Sequence, residues 1–189
     1  VRLERAHLVV SGIGHHGGLA PKGAGDIDGD GDMDLYIGRK DDVNGEFKSY
    51  LFQNELGRYQ DFASAYGIKH NPKENKAAFA DFNNDGKADF VIAPNDSNEP
   101  LYVYLGNGDG TFEQKVSVRD QGVSPAYGIA AGDFVKDPDG IVDLAVSDTG
   151  VLEIYQGDGQ GNFSLYNSTD VSPLKLSSLD NIDYDNDGD

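Results

Sequence analysis

Short apolar runs recur along the chain, each bounded by Asp, Asn and Gly. Such runs read as strands, with turns built from residues that tolerate positive φ. No stretch sustains an apolar period of about 3.6 residues, so the pattern predicts almost no helix. The runs fall in a repeating order. Met33 to Gly38, Ser49 to Gln53 and Arg58 to Phe62 form a first set, the last two joined across Asn54-Glu55-Leu56-Gly57. Ala77 to Ala80, Ala88 to Ala93, Leu101 to Leu105 and Thr111 to Val116 form a second, with Gly106 to Gly110 as its hairpin. Gly128 to Ala131, Val142 to Val146, Val151 to Tyr155 and Asn162 to Tyr166 form a third, with Gln156 to Gly161 as its hairpin. Leu176 to Ile182 enters a fourth. Ala6 to Val10 matches the last strand of a preceding unit, Ser11 to Gly25 reads as a glycine-rich edge loop, and Asp41 to Glu46 reads as a polar surface loop.

Acidic loops punctuate this order. Asp26-Ile27-Asp28-Gly29-Asp30-Gly31-Asp32-Met33-Asp34 places five carboxylates in nine positions. Charges that close repel, and a hard dication with oxygen ligands is their natural counter-charge. Asp26, Asp28 and Asp30 supply carboxylates, Gly31 permits the turn, the Asp32 carbonyl adds an oxygen, and Asp34 closes the loop. Asp81 to Asp89 repeats the pattern with Asn83 at the third position and Lys87 at the seventh. Asp133 to Asp143 carries a version longer by two residues, and Asp183, Asp185 and Asp187 begin another. The starts at 26, 81, 133 and 183 give spacings of 55, 52 and 50, an array of one supersecondary unit. Position 12 is Ile37 in the first loop and Ile92 in the second, where an EF-hand needs a glutamate.

About four short strands per unit predict an all-β fold of propeller-type blades. Each would be four antiparallel strands with a calcium loop between strands 1 and 2. The implied division is residues 1–23 for the end of a preceding blade and a linker, then 24–70, 71–122 and 123–172 for three blades. Residues 173–189 would start a fourth. Three units and two partial ones make a partial or open propeller, completed by further sequence or covered by another copy.

Composition narrows the partners. The net charge of −18 argues against nucleic acid or an anionic membrane surface as partner. Four bound dications would offset about 8 of those charges. The absence of cysteine excludes disulfides and zinc–thiolate sites. No apolar run approaches the ~18–20 residues of a membrane span, so no membrane insertion is expected. Weak calcium loops fill mainly outside cells, which points to an extracellular or cell-surface setting. Without an initiator methionine or signal peptide, and with its last residue inside an acidic loop, the chain reads as a mature or excised piece of something longer.

The repeats resemble FG-GAP/VCBS repeats, the calcium-loop blades of integrin alpha-subunit propellers and of many bacterial extracellular proteins. The resemblance rests on Ala80 to Val91 and on Leu105-Gly106-Asn107-Gly108-Asp109-Gly110-Thr111-Phe112, and it runs from Ala24 onward. It implies Ca2+ ligands at loop positions 1, 3, 5 and 9 and a carbonyl at 7. These map to Asp26, Asp28, Asp30, Asp32 and Asp34, and to Asp81, Asn83, Asp85, Lys87 and Asp89. The third loop, read from its right end, matches at Asp137, Asp139, Ile141 and Asp143, but Val135 falls at position 1, and Asp133 would have to reach across the insertion. The fourth offers Asp183, Asp185 and Asp187.

The resemblance is specific for fold and poor for function. The first reading is a non-catalytic module for adhesion that binds a protein or glycan through variable loops. Aromatic-rich segments at Ser49 to Phe52, Leu101 to Tyr104 and Tyr155 to Tyr166 would either stack on sugars or form blade core. A second reading is a self-assembling protomer of a surface fibre or layer. A third is a propeller domain of a carbohydrate-active enzyme, for which His15, His16, His70 and Tyr127 are the candidates, with no spacing that links them. Sequons at Asn95, Asn162 and Asn167 are glycan acceptors if the protein is secreted from a eukaryote.

Overall fold

A computed structural model of the chain describes residues 23–40, 47–61, 76–93, 100–119, 126–135, 139–174, 176 and 179. The expected strand Ala6 to Val10, His15, His16, His70, Asn95, the Asp41 to Glu46 loop, Asp137 and the fourth acidic loop with Asp183, Asp185 and Asp187 lie outside these residues.

Among the described residues, twelve strands form three antiparallel four-stranded sheets, and none of the three closes on itself. Blade 1 holds β1 (Gly23–Gly25), β2 (Asp34–Lys40), β3 (Phe47–Glu55) and β4 (Arg58–Asp61). Blade 2 holds β5 (Lys76–Ala80), β6 (Asp89–Ala93), β7 (Leu101–Gly106) and β8 (Phe112–Arg119). Blade 3 holds β9 (Gly128–Gly132), β10 (Asp143–Ser147), β11 (Val151–Gly157) and β12 (Phe163–Asp170). Each sheet follows chain order, a plain meander. The first strands line up, β1 beside β5 and β5 beside β9, as inner strands do around a propeller axis.

One expectation needs correction. Gly23–Gly25 is not the end of a glycine-rich loop but the inner strand of blade 1, with Ala24 opposite Leu35. Its glycines hid it from a hydrophobic reading, and packing explains them. A Cβ on Gly25 would come within 2.9 Å of the Phe79 side chain in blade 2. The turn after β3 also differs in detail. Leu56 and Gly57 are its central residues, both at positive φ, as tight hairpins require. Asn54 stays in β3, where its side-chain oxygen accepts from Gly57 N at 2.8 Å.

Alternation along β6 builds both interfaces. Phe90 and Ile92 turn toward blade 1, where they meet Ile27, Tyr36 and Leu51. Val91 and Ala93 turn toward blade 3, where they meet Leu144, Val146 and Tyr155. All five residues of β6 are buried. A blade two side chains thick has no interior of its own, so its stability comes from its neighbours.

The aromatic segments divide: Tyr104 and Tyr155 are buried core, Tyr102 and Phe163 pack against it, Tyr50 stacks on Phe52, and Tyr166 is exposed. Phe90 stacks on Tyr104 at 4.8 Å and on Phe79 at 5.4 Å, and meets Phe112 edge-on at 4.7 Å. The interface of blades 2 and 3 adds charge instead. Arg119, at the end of β8, pairs with Asp148 at 3.0 Å and lies 3.4 Å from Glu153, all three largely buried. The Tyr155 hydroxyl donates to Glu153 at 3.0 Å. Burial and the Glu153 charge push that phenol's pKa up.

Candidate metal centre

The acidic loops join the first two strands of each blade: Asp26–Met33 in blade 1, Asp81–Ala88 in blade 2 and Asp133–Val142 in blade 3. In loop 1 the carboxylates of Asp26, Asp28 and Asp30 accept backbone N–H groups from residues a few positions ahead. Asp26 accepts from Gly29 at 2.8 Å and Gly31 at 3.0 Å. Asp28 accepts from Asp30 at 3.2 Å, and Asp30 from Asp32 at 2.8 Å. Gly29 and Gly31 take positive φ, which lets the loop curl inward. Loop 2 repeats the ladder. Asp81 accepts from Asp85 and Gly86, Asn83 from Asp85, and Asp85 from Lys87. The Lys87 ammonium sits 3.4 Å from Asp85.

The ninth residue has a second task. Asp34 is fully buried, and its carboxylate accepts from Ile27 N at 2.8 Å and Asn54 N at 2.6 Å. Asp89 does the same with Phe82 N at 2.8 Å and Gly106 N at 2.7 Å. Asp143 accepts from Phe134 and Val135 at 3.0 and 2.8 Å and from Gly157 at 3.0 Å. One carboxylate thus ties the start of each loop to the end of the third strand. Three blades use it alike; in blade 3 two successive N–H groups, of Phe134 and Val135, share one Asp143 oxygen. Burial pushes the Asp34 and Asp89 carboxyls up to about 6 against the lowering effect of those bonds, and the nearby loop aspartates raise them further.

Carboxylate oxygens of Asp26, Asp28 and Asp34 all lie within 4.8 Å of one another. Two oxygens on one Ca2+ at about 2.3–2.6 Å cannot stand more than about 5 Å apart, so the cluster has the span of a calcium shell. The donor set is all oxygen, which suits a hard cation. Asp30 and Asp32 lie outside that trio; Asp30 is exposed, and an Asp32 side-chain oxygen accepts from Leu56 N at 3.0 Å. In loop 2, Asn83 replaces one carboxylate. In loop 3, Asp133 is half-buried and Asp139 exposed, and Asp139 accepts from Ile141 N at 2.9 Å.

The loops also meet their neighbours. Gly110 N, in the β7–β8 hairpin, donates to the Ile27 carbonyl of loop 1 at 3.3 Å. Gly161 N, in the β11–β12 hairpin, donates to the Phe82 carbonyl of loop 2 at 3.1 Å. The side chains of Ile27 and Phe82 are buried in the corresponding interfaces. Position 2 of a loop therefore seats the next blade, a role that motif spacing alone does not reveal. The apolar residue between two aspartates was its one visible sign.

Asn162 and Asn167 are exposed, with their amide nitrogens donating to Asp158 and Thr169. Tyr127 is half-buried, and its backbone N–H donates to Ser147 O at 2.8 Å.

Repeated four-stranded meanders, side by side and each with an acidic loop after its first strand, define a blade-built repeat protein. The FG-GAP-like repeat family matches residues 26–92 and 81–138, more than half of the chain. The chain belongs to that family. Among solved structures it is similar to a lectin of Agrocybe aegerita, described by its specific recognition of non-reducing terminal N-acetylglucosamine. Identity is 24% and the TM-score 0.47, covering 78% of this chain. The chain spans only 37% of the length of that lectin chain. No curated protein matches it in sequence.

Proposed function

We infer that this chain is a non-catalytic calcium-binding module that works outside the cell, its blades set by bound ions and its surface offered to a protein or glycan ligand. The observation that carries this reading is the convergence of Asp26, Asp28 and Asp34 within 4.8 Å. A bound Ca2+ would offset two of the three charges of that cluster. The chain's own residues supply the frame: backbone N–H groups orient each carboxylate, and Asp34 and Asp89 lock loop to strand. Exposed Tyr59 and Tyr166 on the outer strands β4 and β12 support recognition by stacking. Those strands also carry Arg58, Gln60 and Asp61, and Ser168, Thr169 and Asp170, all exposed. Polar edges resist strand addition, which favours a binding module over a self-assembling fibre protomer.

Calcium titration with thermal unfolding tests the reading. Ligand at a hundredfold excess over Kd stabilises by about 2.7 kcal/mol per site, so chelation should lower Tm sharply. Identical melting in calcium and in EDTA would refute it. The pH dependence has a defined sign. Asp34 and Asp89 have folded pKa values near 6, above the ordinary 3.8, so the metal-free fold loses stability as pH rises from about 4 through 6. Calcium needs the deprotonated form, so its stabilisation should grow over that same range.

A further inference from the structure

We propose that Gln53 is a positioning residue for the cation of loop 1, holding the Asp28 carboxylate in the coordinating pose, and that this support makes the sites of blades 1 and 2 unequal. The proposal rests on the calcium reading above and adds a residue from outside the loop. Gln53 lies on β3 and is 8% exposed. Its side-chain amide donates to Asp28 Oδ2, across 25 positions of sequence. Asp28 Oδ1 accepts from Asp30 N. Asp28 is thus held from two sides, one within the loop and one from the strand. A ligand carboxylate whose orientation is fixed by a hydrogen bond loses less freedom when it takes a metal, and such outer partners tune affinity.

Internal comparison supports the assignment. Asn54, Gly106 and Gly157 occupy one structural position, since each donates its backbone N–H to the ninth loop residue. The residues just before them are Gln53, Leu105 and Gln156. The third loop residues of the same blades are Asp28, Asn83 and, counted from the right end of loop 3, Asp137. An aspartate at loop position 3 goes with a glutamine on the strand, and an asparagine goes with a leucine. The chemistry explains the pairing. A carboxylate is only an acceptor and gains from a buried donor, whereas a neutral amide carries its own donors and imposes no such demand. In blade 2 the freed position is apolar, and Leu105 packs against the core.

Gln53→Leu tests this, because blade 2 already carries leucine at the equivalent position. Calcium binding to the full chain by titration calorimetry, with Tm in EDTA alongside, reads the outcome. One site should weaken about tenfold in Gln53→Leu while Tm in EDTA holds. The paired change Asn83→Asp with Leu105→Gln should strengthen the blade 2 site more than Asn83→Asp alone, and that difference keeps the proposal testable if Gln53→Leu misfolds, equal affinities overturning it. Wild-type affinities in Gln53→Leu would overturn the positioning role and leave the calcium reading standing. Failure of the wild-type chain to take up calcium would overturn both.

Discussion

The two blade interfaces solve one problem with different chemistry. Blades 1 and 2 meet through rings: Tyr36 from one side, and Phe79, Phe90, Tyr104 and Phe112 from the other, with Phe90 fully buried among them. The flat glycine strand β1 lets Phe79 come close. Blades 2 and 3 meet mainly through aliphatic residues, with Phe82, Phe163 and Tyr155 among them, and add the largely buried charges of Arg119, Asp148 and Glu153. Arg119 Nε is buried without a directed hydrogen bond, so its attraction to Glu153 is chiefly one of charge. Both interfaces share the loop-to-hairpin bond. What differs is tolerance: stacked rings depend on shape, whereas a buried charge group depends on every member being present.

Four substitutions sharpen that contrast. Phe90→Ala should cost most, about 3–5 kcal/mol by urea unfolding, with hydrogen exchange rising first in blades 1 and 2. Exchange rising equally in blade 3 would mean that the interfaces do not separate. Arg119→Met should cost about 3 kcal/mol, because it strands Asp148 and Glu153 as buried charges. A loss under about 1 kcal/mol would put this group with ordinary surface ion pairs. Gly25→Ala should cost about 1–3 kcal/mol by overpacking against Phe79, and Phe79→Leu in the same chain should recover part of it. Simple addition of the two costs would show that the glycine is not there for the ring.

Much of the architecture is legible in the order of residues alone. The spacing of the aspartate loops sets the repeat, and the apolar runs after them locate β2, β6 and β10. The family match and the three meanders bear out the all-β blade architecture. What escapes is whatever depends on a partner in another repeat. Gly23–Gly25 carries no strand-like side chains, since its identity is dictated by Phe79 more than fifty positions away. Arg119 and Asp148 lie 29 positions apart with nothing local to link them. The ninth aspartate reads as a metal ligand from sequence, but its burial and its paired backbone bonds appear only once the third strand is in place. Gln53 is an ordinary strand residue until its register beside loop 1 is known.

The bonds from Gly110 to Ile27 and from Gly161 to Phe82 both point one way along the chain, from a later hairpin back to an earlier loop. The array therefore has a polarity, and each joint between blades has one loop on its earlier side and one hairpin on its later side. A chimera cut at a blade boundary would mate a loop with a foreign hairpin, so an exchanged blade has to match its neighbours at both ends: at its hairpin toward the blade before it and at its loop toward the blade after it.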